Sequence, residues 1–196
     1  MLGFCDAMKK YREIVFVTSN MNKLRECAAV LREFNVVNHK IDIPEFQGEP
    51  EFVLMEKAEF AAKRLKEPCF VDDTSLCFEA WNGLPGPYIK DFLAKIGVDR
   101  IPLLLSGFNN KRATMICYIG YCEPGKKPVA FHGVTEGKIV KPREDRNFGF
   151  DPIFQPNGSK KTQAEMAWDE KKKVSARTKA LKKMSKYLKG KIRTQS

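Results

Sequence analysis

Histidine is scarce in this chain of 196 residues: His39 and His132 are the only two. There is no HExxH pair and no histidine set beside a serine nucleophile, so histidine-based metal or triad chemistry is a poor reading. The six cysteines, at 5, 27, 69, 77, 117 and 122, contain no CxxC spacing. They read as reduced, mostly buried thiols rather than a disulfide framework or a zinc site. No apolar run approaches the ~18–20 residues that a membrane span requires. Residues 1–13 lack the long apolar core and small-residue cleavage site of a secretory leader, so a cytoplasmic protein is expected. Asn157-Gly158-Ser159 matches a glycosylation acceptor, but in that setting it is simply a turn. Internal repeats, linkers and low-complexity stretches are also missing.

What is present fits one sizeable core, with 43% hydrophobic residues in a chain of ordinary domain length. The net charge of +11 is unevenly distributed. Residues 158–196 hold 13 Lys/Arg against 3 Asp/Glu, whereas the other residues hold 22 against 21. The basic end reads first as a lysine-rich solvated helix face and second as a rim that draws in an anionic ligand. Nucleic acid is the lesser reading of that charge.

The spacing predicts an α/β order. Residues 13–18 are a continuous β-branched run, as expected of a strand covered on both faces. Ser19-Asn20-Met21-Asn22-Lys23 follows as a polar loop, and a helix begins that Asn22 is placed to cap. Leu24, Ala28 and Leu31 give it an apolar face. Free N–H groups and the helix dipole at such a junction favour an anion, with Lys23 adding a formal charge. A second strand is predicted over 35–43, with Glu45 just past its end. A helix over 51–66 carries Leu54, Ala58, Ala61 and Leu65 inward, with Lys57 bordering that stripe.

Cys69 to Val71 reads as a buried strand, ending at the adjacent acids Asp72 and Asp73 and the hydroxyl of Thr74. Acids just past a strand end face the ligand crevice of an α/β sheet. Placed together, they need a cation or a shared proton, and Mg2+ takes oxygen ligands of this sort. Gly83 to Pro87 is a turn, followed by helices over 88–96 and about 99–106. Residues 112–123 and 128–141 alternate like an antiparallel pair turning at Pro124-Gly125. His132 and Arg146 have mundane readings there as exposed strand or loop residues. Residues 147–156 set aromatic side chains around Gly149, a pattern that suits ring stacking on a nucleobase as well as a packed loop. A last helix is predicted over 172–188, with Val174, Leu181, Met184 and Leu188 inward. Arg177 falls on that stripe and therefore needs a partner.

Taken together, Thr18-Ser-Asn-Met-Asn-Lys23, Ile41-Asp-Ile-Pro-Glu-Phe-Gln-Gly-Glu-Pro50, Val71-Asp-Asp-Thr74, Gly83-Leu-Pro-Gly-Pro-Tyr-Ile-Lys90, Phe148-Gly-Phe-Asp-Pro152 and Val174-Ser-Ala-Arg177 follow one another in this order. The chain strongly resembles the inosine triphosphate pyrophosphatases, from about Ile14 to Leu188. The resemblance implies an elongated mixed-sheet α/β fold with two lobes and a central cleft, in one domain over 1–196 with a smaller β-rich lobe near 110–145. It implies Mg2+-dependent hydrolysis of nonstandard purine nucleoside triphosphates (ITP, dITP, XTP) to the monophosphate and pyrophosphate, with Mn2+ as a substitute ion. A homodimer is implied, and neither a membrane nor a stable nucleic-acid partner is expected.

The resemblance also implies roles. Thr18, Ser19, Asn20, Met21, Asn22 and Lys23 hold the triphosphate, and Lys57 contacts it. Glu45 and Asp73 bind the metal, with Asp72 close by. Asp73 also takes the proton of the attacking water. Thr74 and Lys90 line the site. Phe148, Gly149, Phe150 and Asp151 hold the base, and Lys171 and Arg177 read its edge. The family usually carries Ser-His-Arg where this chain has Ser175-Ala176-Arg177, and many members have Trp at Phe150. Weaker discrimination against standard purines is therefore expected. Competing readings are a related pyrophosphatase acting on modified pyrimidine or 7-methyl nucleotides, an aspartyl-phosphate phosphatase (which lacks the DxDxT spacing here), and a non-enzymatic nucleic-acid binder.

Overall fold

The computed structural model describes residues 12–144 and 148–194. Cys5, Arg146 and Asn147 lie outside the described residues, as do residues 1–11 of the N-terminal stretch 1–13 read above. The sheet contains β1 (Arg12–Val17), β2 (Phe34–His39), β3 (Cys69–Phe78), β4 (Pro85–Gly86), β5 (Arg112–Cys122), β6 (Val129–Ile139) and β7 (Phe154–Pro156). The helices are α1 (Met21–Val30), α2 (Pro50–Leu65), α3 (Ile89–Ile96), α4 (Ile101–Leu104), α5 (Trp168–Val174) and α6 (Ala176–Thr194). Strand order is β2-β1-β3-β5-β6-β7, with β4 on β3. The β1 strand runs parallel to β2 and β3, and the remaining pairs are antiparallel. This is the mixed α/β sheet expected from the sequence.

Alternation along β1 and β3 divides the core between the two faces of the sheet, because successive strand side chains point to opposite sides. Ile14, Phe16 and Phe70 pack with Cys27, Leu31, Leu181, Met184 and Leu188 on the side of α1 and α6. The rings of Phe16 and Phe70 stack at 4.4 Å between centroids. Val15, Val17 and Val71 pack with Leu54, Ala58 and Ala61 of α2 on the other side. Gly133 lets α6 lie directly on β6, since a Cβ there would sit 2.1 Å from the Ala176 carbonyl oxygen.

Several expectations are corrected. The strand expected to end at Val71 continues to Phe78, because β5 pairs with it without interruption from Cys69↔Cys122 to Phe78↔Ala113. Asp72 and Asp73 are therefore mid-strand neighbours pointing to opposite faces, and need no shared cation. The second strand stops at His39, leaving residues 40–47 without regular structure and Glu45 well beyond the strand end. Asn20, not Asn22, caps α1: its side-chain oxygen accepts from the N–H groups of Asn22 and Lys23 at 3.0 and 3.2 Å. Ala28 is exposed, and Cys27 takes its place in the core. The segment expected as a helix over 99–106 divides into a short 3₁₀ turn, Val98–Arg100, and α4.

The helix expected over 172–188 breaks at Ser175, whose backbone is extended (φ −59°, ψ 127°). Its hydroxyl accepts from the Thr178 N–H at 3.3 Å, the geometry of an N-cap, so α6 starts afresh there. Arg177 thus lies in the first turn of the 19-residue α6. All five described cysteines are free thiols. Burial pushes Cys69 up to about 12 and Cys117 up to about 11, which makes them poor nucleophiles.

The contact at Gly133 generates a test of the fold. Gly133→Ala is expected to cost about 1–3 kcal/mol by overpacking, read as a Tm lower by roughly 2–4 °C per kcal/mol. An unchanged Tm would mean that α6 does not sit this close to β6.

Candidate active site

Six charged side chains from five segments form a single alternating chain on the α1/α6 side of the sheet. Lys23 Nζ of α1 donates to Asp72 Oδ1 of β3 at 3.0 Å. Arg177 Nε of α6 donates to Asp72 Oδ2 at 2.9 Å, and its Nη1 donates to Glu26 of α1. Lys171 Nζ of α5 donates to Glu26 Oε1 and to Asp151 Oδ2, each at 2.6 Å. The sign alternates Lys23, Asp72, Arg177, Glu26, Lys171, Asp151, so three cations meet three anions. Arg177 Nη2 also donates to Thr74 Oγ1 at 3.3 Å.

Burial makes this arrangement consequential. The Asp72 carboxylate is 2% exposed and the Arg177 side chain 9%. An isolated charge at such depth is costly, and pairing with hydrogen bonds offsets that cost. Burial would raise the Asp72 carboxyl, but Lys23 and Arg177 outweigh it and hold the group below its ordinary value. For Arg177, burial is likewise outweighed by Asp72 and Glu26, so it stays a cation. Burial would lower Lys171, yet Asp151 and Glu26 raise it. Sequence reasoning anticipated that Arg177 needs a partner and missed Glu26. Its signal was the position three residues after Lys23, which places both on one face of α1.

Phe148 closes this end of the site. Lys171 Nζ lies 4.6 Å and Arg177 Cζ 5.8 Å from its ring centroid, a cation–π arrangement. Gly149 turns the chain at φ +59°, in the left-handed region where glycine is at ease. Phe150 then turns into the core against Phe154 rather than into the slot. The aromatic face open beside the two cations is therefore Phe148 alone. Ala176 is fully buried at the start of α6.

On the opposite face of β3, Asp73 meets α2. Lys57 Nζ lies 3.4 Å from Asp73 Oδ2, and the Asp73 carboxylate is 45% exposed. Its Oδ1 accepts the Thr74 N–H at 2.9 Å. So Asp72 is committed to protein cations, whereas Asp73 keeps oxygen lone pairs facing solvent beside a lysine. In the 18–23 loop, Thr18 Oγ1 accepts the Asn20 N–H at 3.0 Å. That contact and the Asn20 cap stiffen the turn from which Lys23 projects. Ser19, Met21, Asn22, Glu45 and Lys90 are exposed, and none of them joins the ion chain of the described residues.

A metal ion fits one of these two carboxylates. Asp73 offers a hard, half-exposed oxygen donor, while both Asp72 oxygens are occupied by Lys23 and Arg177. Among the described residues no three His, Cys, Asp or Glu side chains gather into a metal cage. A lone hard oxygen donor such as Asp73 is the kind of ligand that Mg2+ takes together with substrate phosphates and water.

The Asp72 pairing has a definite pH signature. Its carboxyl is lower in the folded than in the unfolded chain, so its stabilisation is present above the unfolded value of about 4. It is lost as pH falls through the folded value. Asp72→Asn should therefore lower stability at neutral pH by about 3–5 kcal/mol, as for a broken buried pair, read as a lower Tm. It should also flatten the loss of stability below about pH 4. Equal acid sensitivity in both proteins would rule Asp72 out as the source.

The sequence profile of the Ham1 family matches residues 14–187. An inosine triphosphate pyrophosphatase of Puccinia graminis f. sp. tritici is 46% identical over 184 residues, covering 89% of this chain and 96% of that protein. One from Batrachochytrium dendrobatidis is 45% identical over 182 residues, covering 92% and 96%. Among solved structures, a Ham1 protein of Coxiella burnetii superposes with a TM-score of 0.80 at 29% identity, covering 91% of this chain and 99% of that one. A Ham1 protein of Staphylococcus aureus gives 0.79 at 26% identity, covering 92% and 100%. With the match spanning nearly the whole chain and both faces of β3, this protein belongs to the Ham1 family.

Proposed function

We propose that this protein hydrolyses nonstandard purine nucleoside triphosphates, ITP, dITP and XTP, to the monophosphate and pyrophosphate, and so cleanses the nucleotide pool. The observation that carries the reading is the division of labour across β3. A cation-flanked ring, Phe148 with Lys171 and Arg177, lies on one side, and a solvent-facing carboxylate beside a lysine lies on the other. The first suits a nucleobase and the second suits phosphate. Relatives at 44–46% identity that carry the name inosine triphosphate pyrophosphatase support the same reading.

In this reading Asp73 and Glu45 hold Mg2+, or Mn2+ in its place. When bound, the ion supplies charge neutralisation at the phosphate oxygens and a more acidic water. Asp73 takes the proton from the water that attacks the α-phosphorus. Lys57, Lys23 and the loop 18–22 stabilise charge on the departing pyrophosphate. Thr74 keeps Arg177 oriented, and Lys90 lines the cleft near the phosphates. The active unit is a cytoplasmic homodimer of one pyrophosphatase domain.

Base choice follows from the remaining donors. Lys171 spends two of its three N–H bonds on Glu26 and Asp151. Arg177 spends three of five on Asp72, Glu26 and Thr74. The remainder can meet an oxygen at purine position 6 but not an amino group, and a donor left unpaired costs ~1–3 kcal/mol. Guanine shares that oxygen, and Ala176 offers no side-chain donor that would help reject it.

Incubation with ITP and Mg2+ should yield pyrophosphate and IMP. Release of orthophosphate, or no turnover of any nucleoside triphosphate, would refute the reading. The kcat/KM ratio of ITP to GTP should also be narrower, by on the order of tenfold (~1.4 kcal/mol), than in a family member carrying histidine at the Ala176 position. An equal or wider ratio would show that Ala176 does not weaken selectivity.

A further inference from the structure

The function proposed above leaves the basic C-terminal segment unused. Residues 158–196 carry 13 of the 35 Lys/Arg residues of the chain, yet only Lys171 and Arg177 of these belong to the ion chain. The structure sorts the remaining lysines of α6. The apolar side of the helix, Ala180, Leu181, Met184 and Leu188, is buried in the core. Lys182, Lys183, Lys186 and Lys189 are exposed on the outside.

Two surface grooves run along the C-terminal half of α6, one on each side, with Lys186 and Gly190 common to both. The first, of about 570 Å³, is lined by Phe131, Lys183, Lys186, Tyr187, Gly190 and Lys191. The second, of about 530 Å³, adds Lys182 and Lys189, with Glu33 as its one acid. Glu33 is already paired with Lys189 at 2.6 Å. Lys191 is likewise paired with Glu123, which leaves Lys182, Lys183 and Lys186 as the lysines of this surface with no acid in ion-pair contact among the described residues. The first groove also contains two half-buried rings, Phe131 and Tyr187, with centroids 5.4 Å apart.

We propose that this face of α6 binds single-stranded nucleic acid. Three features select that occupant. The surface spans both sides of a helix, so it suits a polyanion better than a single small anion. Rings in the floor of one groove offer contact to unpaired bases, which a duplex would hide. Among the described residues of the helix the apolar stripe Ala180, Leu181, Met184 and Leu188 is committed to the core, whereas an interfacial membrane helix turns its apolar stripe to the bilayer. Composition left nucleic acid as the lesser reading of the basic end, and the family resemblance implied no stable nucleic-acid partner. The structure changes that by gathering the lysines on one face beside aromatic rings, away from the ion chain.

The test is fluorescence anisotropy of the full-length protein with a labelled 12-nucleotide single-stranded oligonucleotide. About three phosphate contacts, at about 0.7 per contact, predict a slope of log Kobs against log salt of roughly −2. The double variant Lys182→Glu/Lys186→Glu, which alters neither the ion chain nor Asp73, should weaken binding at least tenfold. Its Tm and ITP turnover should remain those of the parent. Phe131→Ala should reduce affinity without changing the salt slope, if the ring contacts bases. The proposal is overturned by absence of binding at 50 mM salt, or by a double variant that binds as tightly as the parent. Tighter binding to phosphatidylserine vesicles than to the oligonucleotide would also overturn it. ITP turnover is read separately, so failure here leaves the pyrophosphatase reading standing, and the reverse holds as well.

Discussion

Asp72 is the carboxylate on which the rest of this site depends. Buried in the middle of β3 and held by Lys23 and Arg177, it ties the sheet to α1 and α6 at once. Arg177 passes the connection to Glu26, and Glu26 passes it to Lys171 and Asp151. Among the described residues, removing Asp72 strands Lys23 and leaves Arg177 paired with Glu26 alone, and removing Lys171 strands the buried Asp151, so loss of one member is felt along the chain. The consequence for function is preorganisation. Lys171 and Arg177 are already fixed beside Phe148, so little side-chain ordering remains when a ligand arrives.

The same strand supplies the contrast. One residue further on, Asp73 points to the other face, half exposed and only loosely approached by Lys57. Two adjacent acids thus acquire different duties through strand alternation alone. One is consumed by structure and the other remains available for an ion, a proton or a phosphate-bound water. A single β3 backbone fixes the distance between the Asp72 ion chain and the Asp73–Lys57 pair.

Much of this was legible in the sequence, for physical reasons that differ by element. The β1 run, the α2 stripe and the β5–β6 hairpin carry strong periodic signals, and each forms where expected. Arg177 was readable as an inward cation in need of an anion. Glu26 was not, because the inward side of α1 was traced through apolar residues, and a buried acid leaves no hydrophobic signal. The acids of β3 were misplaced beyond a strand end for the same reason. Polar side chains in mid-strand look like a terminus until the ten-residue pairing with β5 is known. The break at Ser175 carried a cap signal, a serine three residues before the thriving helix interior, that the continuous lysine run concealed. Phe150 looked like half of a stacking slot, but its partner turned out to be Phe154 in the core.

The central claim is that Asp72 holds the site together and Asp73 performs the chemistry. The most direct measurement is a parallel determination of Tm and of kcat/KM for ITP in Asp72→Asn and Asp73→Asn. The account predicts that Asp73→Asn keeps its Tm within about 1 °C and loses at least ~100-fold in turnover, as removal of a general base does, while Asp72→Asn shows a clear drop in Tm. An Asp73→Asn variant that turns over ITP normally, or an Asp72→Asn variant as heat-stable as the parent, would contradict it.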